Sequence, residues 1–88
     1  MSKFIEELKD YAKASGAFEY AAKRYSDGNQ SQVLRQEVNT TFNNLNNVAF
    51  PQIEKLYKNN PEDKDAISVY EIACRDIMQM QNLFNNLP

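Results

Sequence analysis

Apolar residues fall along this chain at alternating steps of four and three, the spacing that gathers them on one side of a helix. In the first third they form the seam Phe4, Leu8, Tyr11, Ser15, Phe18, Ala22 and Tyr25, with Ser15 its one small polar member. Ile5, Ala12, Ala14 and Ala21 flank the seam and widen it to the stripe of a bundle helix. With Ser2 as its cap, the pattern predicts a first helix over about 3–26. The seam keeps its phase across Gly16, so one helix is expected there rather than two. Asp27-Gly28-Asn29 supplies the stop, with Gly28 expected in the left-handed region.

A second seam follows after Asn29 or Ser31, either of which can cap it: Leu34, Val38, Phe42, Leu45, Ala49, Ile53 and Leu56. It runs past Pro51, which has no N–H to give the carbonyl of Asn47 and crowds that turn. The pattern predicts a helix over about 31–58, kinked near Pro51, or two helices if the chain breaks near 46–51. Asn60 as cap, Pro61 at the first helical position and acids in the first turn then open a third helix over about 61–85. Its seam is Ala66, Tyr70, Ala73, Ile77, Met80, Phe84 and Leu87, with Ile67 and Cys74 alongside. Connections this short set consecutive helices antiparallel, so the expected fold is all-α: a single domain over 1–88, an up-down-up bundle of three long helices, or four with the break.

Composition narrows the chemistry rather than the fold. The 88 residues have room for one core, and 42% apolar with 25% charged residues is a globular balance. A net charge of −2 gives no global pull toward nucleic acid or an anionic membrane. The stretch Val38–Ile53 carries no charge, yet its Thr, Gln and Asn content excludes a membrane span. The N-terminal turns are interrupted by Glu6, Glu7, Lys9 and Asp10, unlike a signal peptide. A single Cys74 forms no internal disulfide, and the cytoplasm is the expected compartment.

An enzyme needs a positioned base, nucleophile or metal. There is no histidine, and Gly16 and Gly28 are the only glycines, so neither a Glu-x-x-His metal centre nor a phosphate loop can be built. Glu6, Glu7, Glu62, Asp63 and Asp65 all sit in first turns, where acids complement the helix dipole, and Cys74 sits on the buried side of its helix. No catalytic activity, cofactor or metal is expected.

The informative residues are those off the seams. Tyr20 lies on the outward side of the first helix in line with Lys13, Ala17 and Arg24, beside Gly16 and Lys23. An aromatic next to small residues, rimmed by cations, suits a partner helix. The third helix carries Val69, Ile72, Met78 and Leu83 beyond its seam, and Phe50 and Tyr57 share a face off the second. Phe50, Tyr57, Val69, Ile72 and Met78 therefore form the expected homodimer interface, the alternative for the third-helix residues being a central position between the other two helices. The reading is a small non-enzymatic helical protein–protein interaction module, an adaptor, inhibitor or regulator, homodimeric. Eleven asparagines suit an AT-rich genome and an accessory protein of a bacterium or phage. Two alternatives stand beside it: an immunity-type protein neutralising one target, and a nucleic-acid-associated regulator using Lys13, Lys23 and Arg24. The second is opposed by a sum of only +1 over residues 1–25.

Overall fold

The computed structural model describes residues 3–28 and 30–88, and all the regular structure among them is helical. α1 spans Lys3–Asp27, α2 Gln32–Asn44, a π turn Leu45–Ala49, α3 Phe50–Asn59 and α4 Lys64–Asn85. The π turn joins α2 to α3 without a gap, so the protein is three helical rods, with extents of 46 × 21 × 17 Å. None of the helices among the described residues is long and apolar enough to cross a membrane.

The chain does not break at Pro51, and the four-helix alternative is set aside. The backbone widens by one residue just before the proline: the N–H of Phe50 donates to the carbonyl of Leu45, five residues back. A π turn loosens the ladder where the proline ring would otherwise press on the carbonyl of the preceding turn. Leu45, Ala49 and Ile53 are all buried across this stretch, so the core continues from α2 into α3.

Three local expectations are corrected. Ser31 caps α2 by accepting from the N–H of Leu34 at 3.2 Å, but α4 is capped by Asp63, not Asn60. The Asp63 carboxylate accepts from the N–H groups of Asp65 at 2.9 Å and Ala66 at 3.4 Å. Asn60 instead closes α3, its side-chain amide donating to the carbonyl of Leu56 at 3.0 Å, so Pro61 and Glu62 belong to a turn and the helix begins three residues late. Gly28 is not left-handed; among the described residues the positive φ falls on Gln30, at 51°. Glycine is needed at 28 for space, since a Cβ there would lie 2.7 Å from the carbonyl oxygen of Arg24. The capping roles expected of Ser2 and Asn29 lie outside the described residues.

Tyr11, Ser15, Phe18, Ala22 and Tyr25 of the first seam are buried. The stripe widens on one side only, through Ala14 and Ala21; Ile5 and Ala12 stay exposed. Phe18, Leu45, Ile53 and Val38 are the largest fully buried side chains. Around Phe18 the rings of all three rods meet, Phe42 at 5.2 Å and Phe84 at 6.3 Å, with Phe42 and Phe84 stacked at 4.1 Å. Between α1 and the second rod the contacts Arg24–Glu37, Phe18–Phe42 and Tyr11–Phe50 fall on one side as they rise on the other, as rods running in opposite directions require. Between the second rod and α4, Phe42–Phe84, Asn46–Gln81 and Tyr57–Tyr70 do the same.

Candidate interaction surfaces

The fold divides the five residues expected at a dimer interface. Val69 is buried in the chain's own core, 6% exposed, because α4 packs against both α1 and α3; the expectation that it covers a second subunit is corrected. Phe50 is half-buried between Tyr11 and Tyr70, each 6.4 Å from it ring to ring. Tyr57 is stacked on Tyr70 at 4.4 Å with an interplanar angle of 3°. These two rings cover the region of the π turn and α3 from within the same chain, as part of an aromatic file from Tyr11 to Tyr57. Ile72 and Met78 alone keep half or more of their surface in solvent.

The six residues of the α1 patch, Lys13, Gly16, Ala17, Tyr20, Lys23 and Arg24, are all exposed. Tyr20 is 64% exposed, and the Arg24 guanidinium lies over its ring at 5.6 Å. The same guanidinium reaches Glu37 on α2 at 3.4 Å, the one ion pair among the described residues. Both of its side chains are well exposed, so the pair orients Arg24 more than it stabilises the fold. Around Gly16 there is open space: a Cβ built on it meets nothing within 4 Å. Packing against α2 therefore does not account for this glycine.

Gly16 and Ile72, which the sequence places on two separate surfaces, share one groove. It lies between α1 and α4, has a volume of about 290 Å³, and is lined by Leu8, Tyr11, Ala12, Ser15, Gly16, Glu19, Ile72 and Asp76. Its floor is a polar junction that sequence reasoning missed. One carboxylate oxygen of Asp76 accepts from the phenol of Tyr11 at 2.8 Å and from the hydroxyl of Ser15 at 2.6 Å, across the two helices. Burial, followed by this bond to a carboxylate, pushes the Tyr11 phenol well above its ordinary range, since ionising it would place two negative charges side by side. The signal was present: Tyr11 and Ser15 put two hydroxyls on one buried stripe, and each needs a partner.

A second and larger groove, about 460 Å³, runs between α1 and α3 and is lined by Glu7, Asp10, Gln52, Lys55, Leu56 and Asn59. Its lining is mostly polar and of mixed charge. The remaining chemical candidates do not converge: Asp63 is spent as a cap, Asp65 is exposed beside it, and Cys74 is half-buried near Tyr70, whose phenol it pushes up. Comparison of the chain with protein-family models, with curated proteins and with solved structures finds no match.

Proposed function

We propose that the chain is a non-enzymatic helical interaction module, an adaptor, inhibitor or regulator, that binds a partner protein through the solvent face of α1. The lone thiol of Cys74 fits work in the cytoplasm. The observation that carries the reading is Gly16. A glycine in the middle of a 25-residue helix costs about 1 kcal/mol against alanine. Among the described residues nothing outside its own helix lies within 4 Å of where a Cβ would sit, so its small size serves no internal contact there. Close approach by another chain supplies the reason, and Tyr20 and Ala17 on the same face supply an aromatic anchor and a further small position. Lys13, Lys23 and Arg24 form a rim able to meet acids on the partner.

The test is affinity capture with the wild-type chain and with the double variant Tyr20→Ala, Gly16→Ala side by side. Both residues are outside the core, so thermal stability holds or rises. A protein partner retained by the wild type is lost by the variant, with a weakening of about 2 kcal/mol or more once that partner is purified. Equal retention by both forms refutes the assignment.

A further inference from the structure

We infer that α1 carries a second heptad seam on its solvent side, and that this seam is the contact between two copies of the chain, crossing antiparallel at Ala12 and Gly16. The inference rests on the reading of the α1 solvent face as an interaction surface, and it names the occupant of one edge of that face. Ile5, Lys9, Ala12, Gly16, Glu19 and Lys23 succeed one another by four, three, four, three and four. That is the step of an inter-helix seam, and all six residues are exposed. Ala12, Gly16 and Glu19 also line the groove beside α4, so a helix laid along this seam would rest in a trough rather than on a convex ridge.

The seam complements itself. In an antiparallel pairing through a two-fold axis, a patch must fit a reversed copy of itself. When Ala12 faces Gly16 of the second copy, Lys9 faces Glu19 of the second copy and Ile5 faces the aliphatic stem of Lys23 of the second copy. Each contact occurs twice. The centre is then two small residues, which let the backbones approach closely, and the charges on either side are opposite in sign. Lys9, Lys23 and Glu19 have no ion-pair partner within their own chain among the described residues. Ile5, with 46% of its surface in water, gains cover from Lys23 of the second copy. The alternative interface on α3 and α4 has less to offer, since Val69 is buried, Phe50 and Tyr57 are engaged by rings of their own chain, and only Ile72 and Met78 of its five residues remain well exposed.

The experiment is sedimentation of the full chain at high micromolar concentration, with charge reversals at the seam. The wild type sediments as a dimer. Lys9→Glu alone sets two carboxylates against each other at both ends of the crossing, and Glu19→Lys alone sets two ammonium groups together; each weakens association about tenfold or more. An equimolar mixture of the two single variants restores the dimer, because both contacts then join opposite charges, and the double variant Lys9→Glu, Glu19→Lys restores it within one chain. Gly16→Gln, at an exposed position with open space around it, leaves the helical circular dichroism unchanged and abolishes the dimer by filling the crossing point. A wild-type monomer at that concentration overturns the inference, as does association indifferent to the reversals or a mixture that fails to rescue. The interaction reading keeps its own readout, capture of a different protein lost with Tyr20→Ala, so either can fail without the other.

Discussion

The N–H of Phe50 is bonded to the carbonyl of Leu45, five residues back, one position before a proline that has no N–H to offer. The extra residue of this wide turn has a structural consequence. It lets α2 run on into α3 past the proline, so that Val38, Leu45, Ala49 and Ile53 are buried along one rod.

Deleting Val48 together with Pro51→Ala removes the extra residue and the cause of the clash at once. Val48 is 49% exposed, so little packing is lost, and the steps from Leu45 through Ala49 to Ile53 become three and four. The double change is expected to give a regular helix with the same core and an unchanged or higher Tm. Collapse of the fold would show that the π turn is required for more than register.

Asp76 ties α1 to α4 by accepting from Tyr11 and Ser15 at one oxygen. Asp76→Ala leaves the Ser15 hydroxyl without its acceptor and the Tyr11 phenol with only the carbonyl of Ala73 at 3.4 Å, and is expected to destabilise the fold by about 1–3 kcal/mol in denaturant titration. Combined with Tyr11→Phe, the loss should be smaller than the sum of the two single losses, because the second change removes a donor that has already lost its shorter bond. Additive losses would mean that the pair does not act as a unit.

Tyr11 also sets a pH dependence. Its phenol is held neutral in the folded chain and ionises near the ordinary value of 10.0 in the unfolded one. Its contribution is therefore fully present below pH 10.0 and is lost as the pH rises above it, because only the unfolded chain gives up that proton easily. The Tm of the wild type is expected to fall more steeply above this pH than that of Tyr11→Phe. Parallel curves would contradict the burial assigned to this phenol.

The start of α4 gives a local test. Asp63→Ala removes the carboxylate that accepts from the N–H groups of Asp65 and Ala66, and should cost about 1 kcal/mol. Glu62→Ala, in the exposed turn before it, should change stability by no more than a few tenths. The reverse ranking would restore the cap to the Asn60-Pro61 junction.

Three helical rods and most of the buried positions were legible in the sequence, because a seam at steps of four and three has one low-energy solution, a helix with that side covered. The ends of α1 and of the second rod could be read to within a residue for the same reason. The start of α4 could not, since Asn60 and Asp63 are both good caps and the choice depends on which is drawn away, here Asn60 to the carbonyl of Leu56. The passage across Pro51 depended on tertiary packing as well, which rewards burial of Ala49 and Ile53 enough to widen a turn rather than break the helix.

The surfaces divide along the same line. Sequence alone determined that Tyr20, Lys13 and Ala17 face outward, because one helix's own period fixes which of its sides is wet. Only the folded chain decided which apolar residues beyond the seams remain exposed. A helix cannot say how many neighbours it has, so Val69 and Ile72, three residues apart on α4, read alike until α1 and α3 close over the first and leave the second at the edge of a groove. The Asp76 junction likewise required the tertiary structure, because it joins hydroxyls and a carboxylate more than sixty residues apart, and sequence periodicity carries no information about which helices become neighbours.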